Sequence, residues 1–162
     1  MKFIPHDYQK YCIEYIKTHS IAALLLDCGL GKTVISLTAI NDLMLDELKV
    51  SNVLVIAPLR VTYVWRAEAE KWDHLHNLNI SLIVGTVKQR VAAINENAFI
   101  HVVNRENVKF LVEYYEKNGL RWPYDMVILD ELSSFKNYQS QRFKWLRKVR
   151  PFVKRWVGLT GT

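Results

Sequence analysis

Leu26-Asp27-Cys28-Gly29-Leu30-Gly31-Lys32-Thr33 lies between two apolar segments, Ile21 to Leu26 before it and Val34 to Leu45 after it. A strand, a glycine-rich turn and a helix opening at Lys-Thr is the layout of a phosphate-binding loop. Glycines let successive backbone N–H groups turn inward on an anion. A helix N-terminus adds unpaired donors and partial positive charge. Lys32 has the reach for terminal phosphates, and a hydroxyl such as that of Thr33 ligates magnesium in such loops. The usual spacing is G-x-x-x-x-G-K-[ST]. Here Leu26 stands at the first glycine position, so G-x-G-K-T is what remains. A chance glycine turn followed by Lys-Thr is the blander reading, and the flanking strand and helix count against it.

Outward from the loop, apolar runs and helical periodicities alternate along the chain. Strands are expected at 21–27, 53–57, 80–84, 99–103, 126–129 and 155–159. Helices are expected at 6–17, 32–48, 61–72, 87–95, 105–117 and 140–149. The first helix reads as amphipathic, with Tyr8, Tyr11, Cys12, Tyr15 and Ile16 on its inner face. Pro58 reads as the stop of the second strand. Continuous apolar strands alternating with helices imply an α/β fold, a mostly parallel central sheet covered on both faces. Ligands of such sheets bind at the carboxyl ends of the strands. The first strand runs into the phosphate loop, the fifth into Asp130-Glu131, and the last into Thr160-Gly161-Thr162. Three polar motifs are thus expected on one rim.

The 162 residues make one domain by size, and with half of them apolar a core is assured. The net charge of +6 favours an anionic partner without proving one. Cys12 and Cys28 fit neither a metal spacing nor a disulfide framework, which suits a reducing, cytosolic setting. Met1 to Pro5 reads as no signal peptide, and no apolar run reaches membrane-spanning length, so no membrane partner is expected. His74 and His76, two apart and without further placed ligands, read as surface loop histidines rather than a metal site.

Asp130-Glu131 follows the four apolar residues Met126 to Leu129. Phosphoryl transfer needs a metal to neutralise developing charge and a group to orient the attacking water. Two acids at a strand end, on the same rim as a phosphate loop, supply both: Asp130 for the metal and Glu131 for the water.

The segment Asp130-Glu131-Leu132-Ser133-Ser134-Phe135-Lys136-Asn137 resembles motif II of the superfamily two helicases and translocases. Its Lys136-Asn137 is typical of the Swi/Snf-type branch. Asp27 to Thr33 resembles that branch's motif I, which also lacks the first glycine. Pro5-His6-Asp7-Tyr8-Gln9 resembles the segment that sets a glutamine against adenine, Ala57-Pro58-Leu59-Arg60 with Trp65 and Trp72 resembles motif Ia, and Gly158 to Thr162 resembles motif III. The match at Asn104-Arg105 is loose, since the family more often has threonines there. The resemblance covers nearly the whole chain and is nearest to the compact Swi/Snf-like helicases of phages and prophages. It implies a three-layer RecA-like P-loop domain acting in the cytoplasm, that of a bacterial host if phage-derived.

The resemblance further implies ATP and magnesium as cofactors. Gln9 would read adenine, Cys28, Gly29, Leu30, Gly31, Lys32 and Thr33 would hold the nucleotide, and Thr33 and Asp130 would hold the metal. Lys32, Asp130 and Glu131 would carry catalysis, and Thr160 and Thr162 would couple the nucleotide to nucleic acid. Arg60 and Arg105 are candidates for contacts to the backbone of DNA, which is expected to be duplex. From Ser133 to Trp156 no acid occurs, but Phe143, Leu146 and Val149 share a helical face, so the aromatics of this basic run read as core rather than stacking platforms. The family carries a second RecA-like domain whose arginine completes the site, and such a finger is worth on the order of a thousandfold or more in rate. The present chain is read as the N-terminal domain alone, with poor activity by itself. The alternative is a catalytically silent nucleotide- or DNA-binding module acting through a partner.

Overall fold

A strand that is apolar at every position must be covered on both faces, and the central strands here are. The computed structural model describes residues 1–132 and 142–161. Its elements run α1 (Asp7–Thr18), β1 (Ile21–Leu25), α2 (Lys32–Asn41), β2 (Val53–Ala57), α3 (Leu59–Lys71), β3 (Ile80–Ile83), α4 (Val87–Ile94), β4 (Ile100–Asn104), α5 (Val108–Lys117), β5 (Met126–Asp130), α6 (Arg142–Val149) and β6 (Arg155–Thr160). The six strands form one sheet in the order β1-β6-β5-β2-β4-β3, and every pairing is parallel.

Side chains alternate between the faces with the strand period of two. Val53, Val55 and Ala57 of β2, with Met126 and Ile128 of β5, join the core beneath α1, α2 and α3. Leu54, Ile56, Val127 and Leu129 join the core beneath α4, α5 and α6. The result is the expected three-layer α/β architecture.

The departures from the sequence reading have local causes. β1 is an edge strand, not a buried one: Ile21 and Leu25 are 74% and 75% exposed, while Ala22 and Leu24 are buried. On α1, Tyr8 and Tyr11 face outward and Gln9 is buried with Cys12, Ile13 and Ile16. Tyrosine fits either side of an amphipathic helix, so its spacing misleads. α2 ends at Asn41 and continues as a widened π turn over Asp42–Asp46. It is closed by Leu48 at a left-handed φ of 55°, without the glycine that usually marks such an end. Pro58 starts α3 rather than merely stopping β2, because its missing N–H is an orphan at that position. The turn Arg105–Asn107 is a 3₁₀ helix leading into α5. The expected start of the helix at 140 lies outside the described residues.

Candidate functional site

The strand order places β1, β6 and β5 side by side, so their carboxyl ends form one continuous stretch of rim. Two of the three expected motifs and the described part of the third meet there. Thr162 lies outside the described residues, as do residues 133–141.

The loop between β1 and α2 takes its shape from Gly29 and Gly31, with φ of 84° and 86°. A side chain in that conformation costs about 1–2 kcal/mol. At Gly31 an added Cβ would also stand 2.7 Å from Gln9 Nε2. The loop is pinned to its neighbours. Leu26 N–H donates to the Thr160 carbonyl at 3.1 Å, extending the β1–β6 ladder by one step. Lys32 Nζ donates to the Leu26 carbonyl at 3.1 Å, folded back over the loop. This is a neutral acceptor that an anion of higher charge density would displace. Tyr8 Oη and Gln9 Nε2 both donate to the Leu30 carbonyl, at 2.9 and 3.3 Å. Gln9 Oε1 accepts from His6 N–H at 2.9 Å. The buried Gln9 therefore ties α1 to the loop, and with two donors and two lone pairs it keeps one of each for a further partner.

A cleft of about 670 Å³ opens at this rim. Gln9, Cys28, Gly29, Gly31, Lys32, Thr33, Asp130 and Glu131 line it, with a far wall that includes Phe3 and Trp72. Leu30 does not line it; its carbonyl points at α1 instead. Phe3 packs edge-on against Trp72 at 5.3 Å and stacks on His74 at 5.2 Å. His74 is thus not the surface histidine expected. It is half-buried, its Nε2 lies 2.8 Å from Thr38 Oγ1, and burial pushes its pKa down. His76 is exposed as expected.

Asp130 is buried, and its Oδ2 accepts from Trp65 Nε1–H at 3.0 Å. Burial pushes its carboxyl above the ordinary value, and the neighbouring Glu131 charge adds to this; the Trp65 bond, the Glu131 backbone N–H and Lys32 oppose it. Glu131 has a φ of 58°, rare for a residue with a Cβ. Such conformations gather where the surroundings impose a side-chain direction. A buried, disfavoured carboxylate beside a second acid suits a cation. No group of three His, Cys, Asp or Glu side chains that could hold a metal occurs among the described residues. Magnesium takes one or two protein ligands and fills the rest with water and phosphate. Thr33 and Asp130, the two residues expected to face such an ion, both line the cleft.

Farther along the rim, Arg60 is exposed in the first turn of α3, after β2, and Arg105 follows β4. Arg105 is half-buried, its Nε 3.4 Å from Glu106 Oε1. The Thr160 side chain is buried, its Oγ1 3.4 Å from the Gly161 carbonyl. In the basic run, Leu146 and Val149 are buried while Lys144, Arg147 and Lys148 are exposed. Trp145 and Trp156 pack against the core, but Phe152 is 61% exposed, against expectation. The side chain of Phe143 lies outside the described residues. Sequence reasoning missed the Trp65–Asp130 bond, which joins residues 65 positions apart. The sequence placed Trp65 only in the segment that resembles motif Ia.

Comparison with known proteins points to one family. The model of the SNF2-related domain family matches residues 8–162. Protein p41 of Acyrthosiphon pisum secondary endosymbiont phage 1 is 36% identical over 99% of the chain, and helicase ssl-1 of Caenorhabditis elegans is 28% identical over 96%. The chain spans 36% and 7% of the lengths of these two proteins. Among solved structures, the Sulfolobus solfataricus SWI2/SNF2 ATPase core in complex with dsDNA superposes over the whole chain. Its TM-score is 0.79 at 23% identity, and the chain covers 33% of it. The UvsW helicase of bacteriophage T4 gives 0.71 at 18% identity over 99% of the chain and 53% of its own. These two likenesses show the fold, a RecA-like α/β domain.

Proposed function

The chain belongs to the SNF2-related family, and we propose that it is the Mg-ATP-binding domain of a DNA-dependent ATPase, a helicase or duplex-DNA translocase. The observation that carries this is the adjacency of β1, β6 and β5, which brings Lys32, Thr33, Asp130 and Glu131 into one cleft. In this reading the loop N–H groups and Lys32 bind the β- and γ-phosphates, Lys32 leaving the Leu26 carbonyl to do so. Gln9 turns its free donor and acceptor to the base. Glu131, aimed by its left-handed backbone, holds the attacking water and takes up its proton. Magnesium, held by Thr33 and Asp130, would neutralise the charge that develops on the phosphates. Thr160 sits where β6 touches the loop and would pass the state of the nucleotide to the rim. Arg60 and Arg105 lie on that rim and would meet the DNA backbone.

A second RecA-like domain would close the cleft and supply an arginine to the transition state. Without it, the chain binds ATP weakly and turns it over slowly or not at all. The test titrates a fluorescent ATP analogue and follows hydrolysis with and without duplex DNA, for the chain alone and joined to a second RecA-like domain. Lys32→Ala should weaken binding about 10- to 100-fold, the worth of a hydrogen bond to a charged group. Glu131→Gln should leave binding intact and abolish turnover of the joined form. Robust DNA-stimulated turnover by the chain alone would refute the need for the second domain. Binding without turnover in any form would mark a nucleotide-binding module instead.

A further inference from the structure

We infer that Trp65 is a positioning residue for the metal-facing carboxylate of Asp130. This rests on the Mg-ATP reading of the cleft and adds to it a residue that never touches the ligand. Trp65 lies in the middle of α3, fully buried, with none of its surface exposed. A buried indole N–H must find an acceptor, and any carbonyl or hydroxyl within reach would serve. This one donates 3.0 Å to Oδ2 of Asp130, the acid that ends β5 on the cleft. The donor is carried by α3, which packs in the core, so the carboxylate is held from that side. The acceptor capacity left over is free to face the cleft that Asp130 lines.

A divalent cation carried by a nucleoside triphosphate is what such an orientation serves. Magnesium demands near-octahedral geometry and tolerates little ligand wandering. Groups that orient a metal-facing carboxylate without touching the metal are typically worth about 10- to 100-fold in metal affinity. The helix also presents Arg60 in its first turn, so α3 joins the metal-facing acid to the rim on which that arginine lies.

The test compares wild type, Trp65→Phe, Asp130→Asn and the double variant. Each is titrated with a fluorescent ATP analogue, once in EDTA and once in magnesium, and the ratio of the two affinities is read. Trp65→Phe keeps an aromatic ring in the core and removes the donor. It should cost about tenfold of the enhancement that magnesium gives, with the EDTA affinity unchanged. In the Asp130→Asn background, Trp65→Phe should cost nothing more, because the effect passes through that carboxylate. A residue that only fills space would lower both affinities together, or lower the melting temperature with the ratio intact; either result overturns the inference. Should Trp65→Phe not fold, the indole N–H resonance of Trp65 in the wild type decides. It should shift when magnesium is added to the nucleotide-loaded chain and hold still in Asp130→Asn; a resonance indifferent to the metal overturns the inference. Wild type that binds no nucleotide in either medium sinks the Mg-ATP reading itself, and the role of Trp65 with it. Nucleotide binding with an unaltered ratio in Trp65→Phe sinks the inference alone.

Discussion

Opposite ends of the same sheet each bury a cluster of ionisable groups, and the two clusters are built on different principles. Near the amino ends of the strands, His101 Nδ1 meets Tyr124 Oη, and Tyr124 Oη lies 3.0 Å from Tyr115 Oη. His101 Nε2 is 3.2 Å from the Glu96 carbonyl. Burial holds all three neutral, lowering the pKa of His101 and raising those of Tyr115 and Tyr124. Every polar atom of the trio has a partner within the chain. At the carboxyl ends, Asp130 is also buried and also disfavoured as an ion. It is anchored on one side by Trp65 and faces a cleft on the other, next to a Glu131 in a costly backbone conformation. A closed polar network stabilises the fold. An open one holds a group in a state that only an outside partner relieves. The same element of chemistry, a buried titratable side chain, therefore serves structure at one end and, in the proposed function, a ligand at the other.

The sharpest break would come from Tyr124→Phe. It removes one hydroxyl and leaves both His101 Nδ1 and Tyr115 Oη short of a partner, which should cost about 1–3 kcal/mol in urea denaturation. Nucleotide affinity should not move. If it falls as well, the two ends are not independent.

Asp130→Asn should act with the opposite sign. With its folded pKa above the ordinary value, ionising Asp130 works against the fold, so this contribution favours folding at low pH and is lost as the pH rises through the folded value. Removing the charge should then stabilise the chain, free of metal and nucleotide, by about 0.5–2 kcal/mol. For a domain of this size each kcal/mol is read as a melting temperature higher by about 2–4 °C. A lower melting temperature would end the distinction drawn here, because it would make Asp130 a structural member like His101.

The smallest effect lies in the pH profile. His101 has a lowered folded pKa, so its contribution is full above the ordinary histidine value and drains away as the pH falls through and below it. His74 shares the sign. The urea midpoint should fall between about pH 7.5 and about pH 5.5. His101→Gln should flatten that slope whatever it does to the midpoint itself. An unchanged slope would assign the dependence elsewhere.

What the sequence made legible was whatever is local. The phosphate loop and Asp130-Glu131 are each contiguous, and the apolar strands that carry them could be placed to within a residue or two. That three strand ends share a rim also followed, since parallel strands all end on one side. Their adjacency did not follow, because strand order depends on crossovers that no single segment encodes. Ile21 to Leu26 carries no polar residue to betray an exposed side, so the edge position of β1 was hidden. The tyrosines of α1 hid which face goes inward, and with it the burial of Gln9. The bond between Trp65 and Asp130 joins two elements that only the tertiary fold brings together. His74 looked like a loop residue because the aromatic that covers it, Phe3, is 71 positions away.

Among the described residues, β1 has a hydrogen-bonded neighbour on one side only. The loop after β1 is accordingly tied to the sheet through the end of β6, and to α1 through Tyr8 and Gln9. Two hydrogen bonds in series, Leu26 N–H to the Thr160 carbonyl and Lys32 Nζ to the Leu26 carbonyl, link that strand end to the Lys32 ammonium. A glycine at 161 keeps the gap open, since a Cβ there would stand 3.1 Å from the Lys32 nitrogen. In mechanical terms this is a short linkage, two hydrogen bonds long, between the Thr160-Gly161 backbone and the loop.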